Sequence, residues 1–375
     1  MTAPGALRVG LDYRSAVLNG ITGIGRYALA LARGLGALED PRLDLVLFGN
    51  RARGRVAAPS PSRGVRLVAR RFPGKLLRLL SPLLSVETFT GPLDLFHYTD
   101  FSLPPLRRRT PFVATLHDVT FLRSDSFHRA ADRAALAAMC ERTLALARAV
   151  IADSECSRRD LLEKTKADPA RVVAVPLAAE ERFFTAPGNE ADVRERLRLP
   201  ERFLLAVGTI EPRKNHARLV RSLARCRERL PLVVAGKRGW LCGAFDAAVR
   251  SSPVPVRVLG HVLDEDLPAL YRLAEAVVYP SLAEGFGLPV VEALASGAPL
   301  VTSNRSAMAE VAGSAAILVD PEDEAAIADG IDRARRARER LSDSGPRRAR
   351  LFSWEKTARE TLAVYRRAAR EEGAR

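Results

Sequence analysis

At 375 residues with 47% hydrophobic content, the chain is long enough for two domains of an ordinary soluble α/β protein. It has no run of about 18 apolar residues, and its start, M-T-A-P-G-A-L-R-V-G, lacks a basic stretch followed by an apolar core, so neither a membrane-spanning helix nor a signal peptide is expected. The net charge of +15 leaves nucleic acid, anionic lipid and an anionic substrate open as partners.

Residues 7–11 read as a first strand, followed by N-G-I-T-G-I-G-R-Y and a helix from about 25 to 38. Gly20, Gly23 and Gly25 fall in this strand-to-helix turn, where α/β folds bind ligands. A purely structural turn fits the same residues, and the G-x-G-x-x-G spacing of a dinucleotide turn is absent. Residues 43–48 form a second strand. Between Arg51 and Val86 there are nine bases and no acid. Inside that stretch six leucines (76, 77, 79, 80, 83 and 84) alternate with Lys75 and Arg78. The pattern suits a core helix with a charged outer face, or a basic amphipathic helix lying in an anionic membrane interface. Strands follow at 95–98 and 112–116, the second ending in His117-Asp118. A histidine at the carboxyl end of a parallel strand points toward a ligand cleft, although a structural histidine is the alternative. A strand at 148–153 runs into S-E-C-S-R-R-D-L-L, where Ser154 or Ser157 can cap a helix. A strand at 171–175 closes an N-terminal domain, and 178–200 reads as a link.

The second half opens with a buried strand at 203–208 and the element T-I-E-P-R-K-N-H-A-R-L-V. Arg213 and Lys214 supply a guanidinium fork and a point charge suited to a pyrophosphate. Strands at 232–235 and 256–259 end in Gly236-Lys237 and Gly260-His261-Val262, where a nucleobase would sit. Asp264-Glu265-Asp266 spells D-x-D, but it precedes L-P-A-L-Y-R-L, so these acids read as helix-cap and first-turn residues. No other acid or histidine cluster has ligand spacing, and no metal is expected. Cys140, Cys156, Cys226 and Cys242 are scattered without C-x-x-C and read as reduced, mostly buried thiols of a cytosolic protein.

Residues 276–304, A-V-V-Y-P-S-L-A-E-G-F-G-L-P-V-V-E-A-L-A-S-G-A-P-L-V-T-S-N, hold the strongest signal. A buried strand at 276–279 gives way to a loop containing Glu284, Gly285, Phe286 and Gly287. A helix at 290–296 follows, with Pro289 in its first turn and Gly297 as its stop. A helix N-terminus presents free amides and suits phosphate. Glu284 in the loop and Glu292, expected in the first helical turn, suit hydroxyl groups, because an ionised carboxylate accepts hydrogen bonds. Amides for phosphate beside carboxylates for hydroxyls describe a sugar-nucleotide site; ordinary first-turn and loop acids are the plainer reading.

The string E-G-F-G-L-P-V-V-E-A, with Glu284 and Glu292 in E-x7-E spacing, resembles the signature of family four retaining glycosyltransferases. T-L-H-D-V and E-P-R-K-N are similar to two further elements of that family. The resemblance implies an α/β GT-B fold, two Rossmann-like domains facing across a cleft. It implies residues 1–177 as the acceptor side, 178–352 as the nucleotide-sugar side, and 353–375 as a helix crossing back. Arg213 and Lys214 would then stabilise the leaving nucleoside diphosphate, aided by Gly285, Phe286, Gly287 and the helix start at Leu288. Gly23 and Gly25 would lie against the donor phosphates and Val262 near the base. Glu292 would accept from ribose, Glu284 from the sugar, and His117 would hold the sugar from the other domain. One departure is that Gly208 is followed by Thr209 where many members carry arginine, so Arg213 stands as the sole guanidinium on the phosphates.

T-G-I-G-R-Y and E-P-R-K-N-H look most like the mannosyltransferase-like branch of bacterial polysaccharide and O-antigen assembly. That implies GDP-mannose as first donor, a glycan or lipid-linked acceptor, no cofactor besides the donor, and a cytoplasmic protein peripheral at the inner face of the plasma membrane. A same-face mechanism is implied, with the leaving phosphate taking the acceptor proton. Two rivals remain: a nucleotide-sugar epimerase on the same scaffold, and a basic nucleic-acid-binding protein. Against the latter, aromatics are only 6% and are not interleaved with the basic stretch.

Overall fold

Short apolar runs, each followed by a helical segment, recur along both halves of the chain. Strands of that kind are buried on both faces and belong in parallel sheets flanked by helices. The computed structural model describes residues 5–17, 23–50, 64–70, 84–100, 103–107, 110–123, 127, 130–186 and 188–370. It contains two sheets, and every strand pairing among the described residues is parallel.

The first sheet has seven strands: β1 (Leu7–Asp12), β2 (Leu43–Asn50), β3 (Val65–Arg70), β4 (Leu95–Tyr98), β5 (Phe112–Leu116), β6 (Ala149–Ala152) and β7 (Val172–Ala174), in spatial order β3-β2-β1-β4-β5-β6-β7. The second has six: β8 (Leu204–Val207), β9 (Leu232–Ala235), β10 (Val256–Gly260), β11 (Ala276–Tyr279), β12 (Leu300–Ser303) and β13 (Ile317–Val319), in order β10-β9-β8-β11-β12-β13. In each, the chain winds outward from a central strand and then reverses. The reversal lies between β1 and β4 in one sheet and between β8 and β11 in the other. Loops at the carboxyl ends of such a pair diverge, which opens a ligand crevice there.

The chain divides into two compact units. One comprises residues 1–122, 130–177 and 353–375, the other 123–129 and 178–352. The helix Trp354–Arg370 therefore belongs with the first sheet. Its Tyr365 hydroxyl lies 2.7 Å from Nδ1 of the buried His97 on β4, and Thr357 donates to the Pro176 carbonyl at 2.6 Å. Leu362 is buried on its apolar side, while Trp354 is half-buried.

Several expectations need correction. Val65–Arg70 is an edge strand, where the charge pattern suggested only a basic stretch; its outer face meets solvent, so arginines are tolerated. The stretch at 178–200 contains a helix, Glu190–Arg196, and is part of the second unit. The first long helix runs Gly23–Ala37, so Gly23 and Gly25 lie in its first turn and not in the loop before it. Ser154, not Ser157, is the cap: its Oγ accepts from the Ser157 amide. The acids at 264–266 precede the helix Leu267–Leu273, and Asp266 makes no side-chain cap; its carboxylate is clamped by Arg196 at 2.7 and 2.8 Å. Gly20, Arg51, Arg53, Arg55, Arg63, Arg71, Lys75, Arg78 and leucines 76–83 lie outside the described residues, and with them the amphipathic segment. Among the described residues no helix is long and apolar enough to cross a membrane.

Candidate active site

The reversal point of the second sheet is built from two loops, one leaving β8 and one leaving β11. The first is forced close to its neighbour after β9. A Cβ on Gly236 would stand 1.8 Å from the Gly208 carbonyl oxygen, a contact only glycine permits. The chain then turns through a short helical turn, Pro212–Lys214, into Asn215, which takes the left-handed conformation (φ 61°) that asparagine tolerates better than most residues. The Asn215 amide donates to the carbonyls of Pro280 and Pro321 at 3.0 and 2.6 Å, tying this loop to the β11 loop. Gly287, also left-handed (φ 91°, ψ 63°), starts the helix Leu288–Ala295.

These loops bring the half-buried Arg213 and Lys214 together around the buried Glu284. Lys214 Nζ lies 2.7 Å from Glu284 Oε1, and Arg213 lies 2.5 Å from Oε2. Oε1 also accepts from Tyr279 at 2.8 Å and Ser281 at 2.6 Å, and Lys214 donates to the Tyr279 hydroxyl at 2.6 Å. Arg213 has a second carboxylate at 3.0 Å, that of the buried Glu211, and donates to the Ala283 carbonyl at 2.9 Å. The expected phosphate-binding cations are therefore balanced by two acids of the protein itself. Burial alone would raise the Glu284 pKa; Arg213 and Lys214 outweigh it and hold the carboxyl at about 2. Burial lowers Lys214, which Glu284 only partly restores, and burial raises Glu211 despite Arg213 and Lys214.

The cluster keeps spare capacity. Among the described residues, two of the three N–H groups of Lys214 have partners, and Glu284 Oε2 accepts only from Arg213. An oxyanion can take the third N–H of Lys214, and a hydroxyl can donate to Oε2.

Glu292 is placed apart from this cluster. It is the fifth residue of the Leu288–Ala295 helix, in its second turn, because the helix starts two residues before the expected point. It is buried and accepts from the Tyr271 hydroxyl at 2.9 Å. Phe286 turns its ring into the interior, edge-on to Phe352 at 5.7 Å, so its offering to a ligand is backbone. Gly285 and Gly287 are buried and Leu288 is half-buried, while Val262, just past β10, is also buried.

In the first unit, His117 leaves the end of β5. Its Nδ1 lies 2.8 Å from Oδ2 of Asp153 and its Nε2 3.1 Å from the Thr99 carbonyl. Tyr27 meets the imidazole edge-on at 4.5 Å. Burial alone would lower the His117 pKa; the Asp153 carboxylate overcomes this, and the net direction is up. His97 is a structural residue: it joins Tyr365 to Thr115 at 2.7 and 2.8 Å, and burial holds it neutral, with its pKa down at about 3. Gly25 is buried and Gly23 exposed at the start of their helix. Among the described residues, no three His, Cys, Asp or Glu side chains group as metal ligands.

Comparison with known proteins decides the family. Residues 189–348 match the family described as glycosyl transferases group 1, and residues 22–178 match the glycosyl transferase 4-like domain. The chain belongs to the group 1 glycosyltransferases. This glycosyltransferase is 31% identical over 372 residues to the O-antigen chain mannosyltransferase B of Escherichia coli, which covers 92% of this chain and 96% of that one. Its fold is that of solved GT-B enzymes. Sucrose-phosphate synthase from Thermosynechococcus elongatus superposes with TM-score 0.75 at 20% identity, over 96% of this chain and 98% of that one. HepE from Anabaena, in complex with UDP and glucose, superposes with TM-score 0.73 at 17% identity, over 96% and 99% of the respective chains. Neither an epimerase nor a nucleic-acid-binding protein is favoured by these matches.

Sequence reasoning on this glycosyltransferase missed the residues that hold its charged groups: Glu211, Asn215, Tyr271, Tyr279, Ser281 and Asp153. Glu211 and Asn215 stand in E-P-R-K-N itself, and Tyr279 and Ser281 in Y-P-S just before the loop, so adjacency to the motif was the available signal. Tyr271 reaches Glu292, and Asp153 reaches His117, only through the fold of their own units, and no spacing announces them.

Proposed function

We propose that this glycosyltransferase moves a hexose, mannose first, from a nucleotide-diphosphate sugar, GDP-mannose first, to a hydroxyl of a glycan or lipid-linked acceptor. In this reading the anomeric configuration is retained and no metal takes part. One observation carries it: Arg213, Lys214 and Glu284 converge at the β8–β11 reversal, beside the amino end of the Leu288–Ala295 helix. The third N–H of Lys214, Arg213 and the backbone at 285–288 would take charge developing on the leaving diphosphate, the part a metal plays elsewhere. Glu284 Oε2 would accept from a sugar hydroxyl and Glu292 from ribose. His117 would contact the sugar, and with both ring nitrogens committed to hydrogen bonds it would not act as a base. The leaving phosphate is then the group that takes the acceptor proton. The mannose preference is supported by the E. coli relative's name. A cytoplasmic site at an anionic membrane is supported by the charge pattern of residues 51–86.

Product analysis tests this reading. Incubated with GDP-mannose and a lipid-linked glycan acceptor, the protein is expected to release GDP and extend the acceptor, with Lys214→Ala and Glu292→Ala at least about 100-fold slower while still folded. An altered nucleotide sugar without acceptor, or full activity in either variant, would sink the assignment.

A further inference from the structure

Three neighbouring strands of the first sheet each deliver one group to the same point: Thr99 after β4, His117 after β5 and Asp153 after β6. His117 thereby faces two acceptors. A backbone carbonyl has no proton to give, so Nε2 carries a hydrogen and donates to Thr99. The 2.8 Å contact between Nδ1 and Asp153 Oδ2 needs one more proton. It sits on nitrogen, giving an imidazolium beside a carboxylate, or on oxygen, giving a carboxylic acid that donates to Nδ1. In both arrangements neither ring nitrogen has a lone pair to offer a substrate.

The surroundings fix this state. Asp153 is 2% exposed, and its Oδ1 has no hydrogen-bond partner among the described residues, so Oδ2 and His117 carry its stabilisation. The Tyr27 ring stands edge-on to the imidazole at 78°, and its hydroxyl is tied to Thr115 at 2.8 Å, which blocks the ring from swinging. The other titratable groups around His117 act in one direction. Asp100, next to Thr99, favours the charged imidazole; Asp118 favours a proton on Asp153; and His97 on β4 is neutral.

We propose that Asp153 is a positioning residue that keeps the second proton on the His117–Asp153 pair, so that His117 meets its ligand as a hydrogen-bond donor and not as a base. This rests on the reading of His117 as a contact to the sugar nucleotide. The ligand it suits bears an acceptor oxygen, a sugar hydroxyl or a phosphate oxygen, which shares Nε2–H with the Thr99 carbonyl. That bond, at 3.1 Å, is the longer of the two. The chemistry predicts a transfer rate flat through neutral pH, since the proton on the pair does not come and go there.

Nitrogen-15 spectra of the histidine side chains in the full chain test the proposal directly. There are five histidines, and His117→Gln assigns the signal. At pH 7.5 to 8, roughly one unit above the ordinary imidazole value, wild-type His117 should show no ring nitrogen with a free lone pair: each either carries a proton or, for Nδ1, accepts the one held on Asp153. In Asp153→Asn, which keeps the shape and removes the acid, one nitrogen should appear unprotonated. A free lone-pair signal in the wild type, or an unchanged His117 spectrum in Asp153→Asn, overturns the proposal without any ligand. Release of GDP from GDP-mannose supplies the second readout. The wild-type rate should be flat from about pH 6 to 8.5. Asp153→Asn should lose about 10-fold or more and gain a break near the ordinary histidine pKa of about 6.5, with Asp153→Glu partly restoring the flat profile. A flat, wild-type-like profile in Asp153→Asn removes the positioning role. Undiminished GDP release in His117→Gln removes the ligand contact instead, and leaves the spectra to decide the proton.

Discussion

The two units handle buried charge in different ways. Around Glu284 in the second unit, two cations and a second carboxylate satisfy one another, with Tyr279 and Ser281 completing the set. Around His117 in the first unit, one ring and one carboxylate share what protons there are, and one carboxylate oxygen has no partner among the described residues. The first arrangement is multiply braced, and in it the Glu284 carboxyl is held at a pKa of about 2. The second hangs on a single partner. A braced cluster can lend out one N–H or one lone pair and remain intact. A paired histidine can only present what its partner leaves it.

The sharpest way to break this contrast is Glu284→Ala. It leaves the largely buried Arg213 and Lys214 with Glu211 as their remaining acid, so it should cost about 3–5 kcal/mol of stability, read by urea denaturation, besides abolishing transfer. His117→Gln should cost far less stability; equal losses would erase the distinction. Gly236→Ala comes next, because its Cβ would press into the Gly208 carbonyl, displacing the loop that carries Arg213 and Lys214. A loss of about 2 kcal/mol or more and impaired GDP-mannose binding are expected; wild-type values would show that the loop has room.

Acid probes both units at once. His97 in the first and His216 in the second are buried neutral, each with a pKa of about 3 against an ordinary 6.5. The unfolded chain therefore binds more protons below pH 6.5, and stability present above that value is lost as pH falls toward 3. At pH 5 the loss should be about 2 kcal/mol per histidine. It is measured by comparing denaturation at pH 7 and 5, and should shrink by that amount in His216→Gln. Glu284 adds a loss of the same sign only below about pH 4.5. The smallest effect expected is that of Tyr271→Phe, which strips Glu292 of a donor: about 1 kcal/mol of stability and a raised donor KM with kcat little changed.

Much of this architecture was legible in the chain. The strands at 95–98, 112–116, 232–235 and 276–279 coincide with those in the structure, because short runs of aliphatic, aromatic and β-branched residues bounded by polar or turn residues leave little alternative. Val65–Arg70 was hidden because an edge strand has a solvent face and so carries charge. Glu284, Arg213 and Lys214 stand out in the sequence, but that they meet and neutralise one another does not, since 70 residues of sequence separate loops that only the sheet order brings together. The turn assigned to Glu292 failed by two residues because Gly287 starts the helix early, a matter of one backbone conformation.

The claim beneath all of this is that the β8–β11 loops grip a nucleotide diphosphate through Lys214 and its neighbours. Calorimetric titration of GDP into the wild type and into folded Lys214→Ala measures it with no acceptor required. The account predicts saturable binding by the wild type and a loss of about 100-fold in the variant, equivalent to about 2.7 kcal/mol. Equal affinity in the two proteins would contradict it.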